Sequence, residues 1–285
     1  MAVMASPVSK NPGTATVWNV AERLGYQTLP AELVRDPKFS DTIRAERVDV
    51  LLNVHSLYII SSQVLDAPRF GSFNMHPGPL PRYAGLNAVS WALYRGETSH
   101  GVTIHKMEPE IDVGSIVYEK IFKIEDADTG LSLSLKCVRE GLEFVSQLLD
   151  VLSSDPEGIQ LVRQDLSKRE YFGREVPNGG RLVWSRNARE VTNFIRACDY
   201  YPFHSPWGQP RARLGDKEVG IMKASLTGVR CDEQPGSVGQ MVESGVQVAC
   251  ADEWIVVKKL KLDSRLVNAA DLLKTGERLD DGSER

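Results

Sequence analysis

Through residue 152 the hydrophobic pattern of this 285-residue chain keeps switching between strand and helix periods, and after that it does not. Thr14 to Gly25 sets Val17, Val20, Ala21 and Leu24 at helical spacing and closes on Gly25. Tyr26 to Pro30 reads as a short strand and residues 37–46 as a second helix. Val48 to His55 is a continuous apolar run of strand length, which predicts a strand covered on both faces. A short helix over 61–66 follows, then a strand over Ser72 to His76 that Pro77 stops. Residues 87–94 are helical with Gly96 as the end signal, and 100–107 and 117–124 are strands. From Thr129 to Leu152, Leu131, Leu135, Val138, Leu142, Val145, Leu148, Leu149 and Leu152 recur at three and four, the mark of a long amphipathic helix. Strands alternating with helices predict an α/β fold with a mostly parallel sheet.

Beyond 155 the character changes. Residues 156–180 read as a linker ending in the turn signal Asn178-Gly-Gly180, and 188–198 as a helix with Val191, Phe194, Ile195 and Cys198 on one face. Short strands between turns follow at 209–214, 219–226, 239–242, 246–249 and 254–262. That spacing predicts a small β-barrel or open sheet. The expected division is therefore 1–155, a linker, a second domain over 181–275, and a polar tail over 276–285.

Composition excludes several classes. A formal net charge of -4 gives no global basic field for nucleic acid. No apolar run approaches the ~20 residues of a membrane span, and the start has no basic region followed by an apolar one, as secretion needs. The cysteines at 137, 198, 231 and 250 are scattered, with neither a CxxC pair nor a histidine at zinc spacing. They read as free thiols of a cytoplasmic protein that holds no metal.

Chemistry concentrates between residues 71 and 115. Residues two apart on a strand point the same way, so Asn74 and His76 share a face. Pro77 puts them near the strand's carboxyl end, where open α/β sheets bind ligands. An amide can donate to a carbonyl oxygen as it becomes an oxyanion, and an imidazole can donate to the same oxygen or relay a proton. Downstream, Asp112 can orient the histidine and take the proton lost by an attacking amine. Taken singly, an Asn beside a turn caps backbone, and an Asp before Val-Gly is a common turn residue.

The run Asn74-Met-His76-Pro-Gly-Pro-Leu80-Pro81-Arg82-Tyr-Ala-Gly85, then Gly101-Val-Thr-Ile-His105, then Ile111-Asp112-Val-Gly114, resembles the folate-dependent formyltransferase family. Tyr171-Phe-Gly-Arg174, Arg181-Leu-Val-Trp184 and Asn193-Phe-Ile-Arg196 extend the resemblance more weakly. The resemblance implies a Rossmann-like formyltransferase domain and a smaller C-terminal barrel of OB-like kind. It implies transfer of a formyl group from 10-formyltetrahydrofolate, with Asn74 polarising the carbonyl, His76 stabilising the oxyanion and Asp112 orienting His76 and accepting the amine proton. It places the pterin against Leu57, Tyr58, Ile59 and Ile60 and the backbone of Ile111, Val113 and Gly114, although for Ile59 and Ile60 a place in the core fits the sequence equally well. Val113 departs from the family's usual Thr, and Gly78-Pro79 from its Ser-Leu.

The acceptor expected is a small primary amine, either an amino sugar nucleotide or an amino-acid-derived compound. Methionyl-tRNA formyltransferase is the alternative. Residues 6–14 are short and carry only Lys10 where that enzyme has a long basic insertion, and the C-terminal part is nearly charge-balanced, both of which disfavour tRNA. A 10-formyltetrahydrofolate hydrolase is a further alternative. Compared with the family, a first strand–helix unit is expected to be missing. That leaves open a misassigned start, a segment of a larger polypeptide, or an inactive truncated homologue; a homodimer is a further expectation.

Overall fold

The computed structural model describes residues 1–7, 15–263 and 265–281. The loop expected over 6–14, with Lys10, lies outside the described residues from 8 onward, as do the last four residues of the tail.

In chain order the elements are β1 (Ala2–Ala5), α1 (Val17–Arg23), β2 (Gln27–Pro30), α2 (Phe39–Ala45), β3 (Leu51–Val54), α3 (Ser62–Leu65) and β4 (Ser72–His76). They continue with β5 (Ala84–Gly85), α4 (Ala88–Tyr94), β6 (Ser99–Lys106), β7 (Ile116–Lys123), α5 (Gly130–Ser154), β8 (Tyr171–Phe172) and α6 (Ala188–Ala197). The C-terminal part holds β9 (Arg211–Leu214), β10 (Lys217–Arg230), β11 (Val238–Val242), β12 (Gly245–Ala249), β13 (Glu253–Leu262), β14 (Arg265–Asn268), α7 (Ala269–Leu272) and β15 (Leu279–Asp280). Two compact units emerge: residues 1–76, 104–118 and 144–166 form one, and 77–103, 119–143 and 167–285 the other.

In the first unit β1 and β2 pair in parallel across α1, with Ala2 opposite Gln27. Thr16 starts α1 because its hydroxyl accepts from Asn19 N, and the Asn19 side chain accepts from Thr16 N in return. The four-stranded sheet runs β3-β4-β6-β7, and β3 and β4 are parallel, with Asn53 opposite Asn74. The strand expected over 48–55 is shorter than its apolar run, and its residues are half-buried, with Val54 exposed. The reason is position: β3 is the edge of its sheet, so it is not enclosed as an interior strand is. A core cluster of Val34, Ile43, Val64 and Ala67 takes in Met4, Phe39, Val48, Leu51, Tyr58 and Ile60.

In the second unit α6 carries a capping box, Asn187 accepting from Glu190 N while the Glu190 side chain accepts from Asn187 N. Trp91 stacks on Phe172 and meets Trp207 edge-on, with ring centroids 4.8 and 4.9 Å away. A seven-stranded sheet follows the order β11-β12-β13-β10-β9-β15, with β14 on β13. Its paired strands are antiparallel, and β10 shifts register against β13 at Ile221/Lys223 and again at Leu226/Arg230, bulges that bend so long a strand. The α/β half and the all-β half expected from the sequence are both present. The short elements β14, α7 and β15 were not among those expected.

All four cysteines are free and buried. Burial pushes the thiols of Cys137, Cys198 and Cys250 up to about 12, and raises that of Cys231. Thiolate is the reactive form. A thiol reagent at about pH 8 will therefore label none of them in the folded protein and all of them in denaturant; labelling of the native protein by mass spectrometry would contradict this packing.

Candidate active site

Ser72, Asn74 and His76 face one side of β4, while Phe73 and Met75 are buried on the other. Ser72 Oγ donates to Leu65 O at 2.8 Å, anchoring the start of the strand. Pro77 has no N–H to continue the ladder, so His76 is the last residue of β4.

The neighbouring strand β6 brings up His105, which is 2% exposed. Its Nδ1 lies 2.8 Å from Lys106 O. A carbonyl only accepts, so Nδ1 carries the hydrogen and the lone pair of the neutral ring sits on Nε2. Asn74 Nδ2, 3.1 Å away, donates to that atom. One N–H of the Asn74 amide is thereby used to fix its plane, and the second is left for another acceptor.

Asp112 closes the set. Its carboxylate lies between two imidazoles, Oδ1 at 3.3 Å from His105 Nε2 and Oδ2 at 3.5 Å from His76 Nδ1. With its lone pair on Nε2, neutral His105 gives Asp112 no hydrogen there, so the 3.3 Å contact is a close approach. His76 Nδ1 is a nitrogen that can donate to the carboxylate, at a distance long for a hydrogen bond, as is common before substrate tightens a site. His76 and Asp112 are buried, at 4% and 9% exposure. Asp112 holds a φ of 58°, in the left-handed region that few residues except Gly, Asn and Asp adopt readily. Such a backbone at a charged, buried residue persists only where its surroundings hold it.

Gly114 is part of that hold. A Cβ there would collide with the carbonyl of Lys106, the group that also takes the His105 hydrogen, and Lys106 N donates to Ser115 O at 2.9 Å. Gly114→Ala is therefore expected to destabilise the protein by about 1–3 kcal/mol, as overpacking does, and to lower its thermal midpoint. Thermal denaturation of the variant beside wild type checks this.

The apolar wall read at 57–60 divides in two. Tyr58 and Ile60 pack on the core cluster, whereas Leu57 and Ile59 are exposed at 78% and 68%. Ile111 is also exposed, and Val113 and Gly114 are part-buried and buried. Two histidines did not figure among the candidates. His105 belongs to the Gly-Val-Thr-Ile-His strand, and only its place beside β4 reveals what it touches. His55, partly exposed, has a left-handed φ of 58°; burial of the rest of its ring, and then the charge on His76, lower its pKa. Among the described residues no group of His, Cys, Asp and Glu could hold a metal ion, and no helix is long and apolar enough to cross a membrane.

A buried carboxylate between two imidazoles, beside an oriented amide, can polarise a carbonyl and receive a proton from a nucleophile. Comparison with known proteins finds matches for both halves of the chain. The formyl transferase family matches residues 8–149, and the formyl transferase C-terminal domain matches residues 176–276. An N-formyltransferase from Helicobacter canadensis, solved with folinic acid and dTDP-3-aminofucose, aligns with a TM-score of 0.65 at 18% identity over 87% of this chain and 84% of that one. A sugar N-formyltransferase from Shewanella aligns with a TM-score of 0.59 at 21% identity over 77% and 83%. HypX from Aquifex aeolicus, solved with tetrahydrofolic acid, aligns with a TM-score of 0.61 at 19% identity over 90% of this chain, which covers 43% of HypX. At such identities the solved structures speak for the fold, and the two matched domains speak for the family. The chain belongs to the formyl transferase family that its own motifs resemble.

Proposed function

We propose that the protein transfers a formyl group from 10-formyltetrahydrofolate to the primary amine of a small acceptor, an amino sugar nucleotide or an amino-acid-derived compound. The observation that carries this reading is the Asp112 carboxylate set between His76 and His105, with Asn74 oriented by His105. Support for the donor comes from the folates in the Helicobacter canadensis and Aquifex aeolicus structures, and support for the acceptor from dTDP-3-aminofucose in the former. On this reading residues 1–155 hold the chemistry and 181–275 form an accessory C-terminal domain.

Each residue has a defined task. Asn74 donates its second amide hydrogen to the formyl oxygen, and His76 donates to the same oxygen as negative charge develops there. Asp112 orients His76 and receives the proton that the amine loses as its nitrogen bonds to the formyl carbon. The bond from that carbon to the folate nitrogen breaks, and the proton passes to the departing nitrogen. His105 keeps the Asn74 amide plane fixed, so the donor needs no reorganisation during reaction. Exposed Leu57, Ile59 and Ile111 offer apolar surface to a flat ring, and the backbone of Val113 and Gly114 offers polar contacts; Tyr58 and Ile60 are partly buried against the core cluster, with their remaining surface open to the ring.

Mass spectrometry of a panel of amines incubated with the protein and 10-formyltetrahydrofolate tests the reading. A formyl mass gain on an amino sugar nucleotide or an amino-acid-derived amine is expected. Formate released in the absence of any amine would assign hydrolysis instead, and formylation of charged initiator tRNA alone would assign the tRNA reaction.

A further inference from the structure

We propose that Gln164 is the positioning residue that holds Asp112 in its left-handed, buried conformation. In the sequence it lies inside the linker over 156–180, yet it is buried, and its amide nitrogen donates to Asp112 O at 2.9 Å and to Gly114 O at 2.6 Å. Both hydrogens of the amide are used, and they close the turn from the Asp to the Gly of the motif.

Register explains how a residue 52 positions away reaches this turn. Val162 and Ile116 exchange both backbone bonds at 2.8 Å, an isolated antiparallel bridge. Two residues on from Val162 and two before Ile116, Gln164 and Gly114 come opposite one another. The turn is then held from both sides, by the Lys106 backbone and by the Gln164 side chain. Gln164 Oε1 is buried without a hydrogen-bond partner among the described residues. An amide kept buried with its acceptor unsatisfied is costly, which fits retention for its two donors.

The inference rests on the catalytic reading of Asp112, but its test does not depend on activity alone. Gln164→Met keeps the volume and removes both donors. It is expected to lower kcat about tenfold to a hundredfold, the scale of a misplaced catalytic group, with the KM for the amine little changed, and to move the imidazole NMR resonances of His76 and His105. Gln164→Glu supplies a donor only when protonated, so its activity relative to wild type is expected to rise as pH falls, a trend that Gln164→Met does not share. Unmoved histidine resonances and wild-type kcat in Gln164→Met, or a Gln164→Glu profile parallel to that of Gln164→Met, would overturn the proposal. If Gln164→Met does not fold, the pH trend of Gln164→Glu decides. Moved resonances in a protein whose wild type transfers no formyl group would uphold the positioning role and refute the catalytic reading.

Discussion

Asn74→Ala is expected to lower kcat for formyl transfer by about 10²–10³-fold, the loss that follows removal of one oxyanion donor. The effect is large because no neighbour replaces the amide: His105 Nδ1 is committed to Lys106 O, and its Nε2 faces Asn74 as an acceptor. Truncation removes the donor to the formyl oxygen and also empties the space beside His105. Folding is expected to survive, since Asn74 is half-buried and its strand is anchored by Phe73 and Met75 on the other face. A KM close to wild type would place the loss in the transition state. Stopped-flow measurement of donor consumption, with circular dichroism to confirm the fold, checks it; a loss below about tenfold would remove Asn74 from the reaction.

Asp112→Asn is expected to cost about 10³-fold or more, on the scale seen when the carboxylate that orients a catalytic histidine is neutralised. The substitution isolates charge from shape. Asn tolerates the left-handed φ of 58° as Asp does, and the bonds from Gln164 go to backbone oxygens that the change leaves in place. The amide, however, cannot receive the amine proton, and it puts an N–H beside one imidazole where the carboxylate has an oxygen. Thermal denaturation should show a fold near wild type while transfer is all but lost. Retention of transfer in Asp112→Asn would mean that another base takes the proton, and the imidazoles of His105 and His76 are the titratable groups beside Asp112.

What was legible in the sequence and what was not separates along physical lines. The strand Ser72–His76 and its stop at Pro77 were readable because period-2 alternation and the missing proline N–H are local properties. Helices α1 and α6 were readable for the same reason, because apolar residues at helical spacing are equally local, while their capping boxes emerged only in the structure. The burial of β3 was misjudged because an apolar run does not say whether its strand lies inside a sheet or at its edge. Leu57 and Tyr58 differ in fate through packing of the loop on Val34, Ile43, Val64 and Ala67, three separate segments whose meeting is tertiary. His105 and Gln164 escaped for a related reason. Their partners are fixed by sheet order and by a bridge between distant segments, neither of which leaves a local pattern.

The central claim is that the Asn74, His76 and Asp112 site delivers a formyl group from folate to an amine, and an isotope-traced transfer tests it most directly. The donor carries a label in its formyl carbon, and nuclear magnetic resonance follows that carbon with an amino sugar nucleotide or amino-acid-derived amine present. The account predicts label appearing in the formamide in step with donor consumed, little in formate, and neither in Asn74→Ala or Asp112→Asn. Label collecting in formate regardless of amine, or reaching the formamide as fast in those two variants as in wild type, would contradict it.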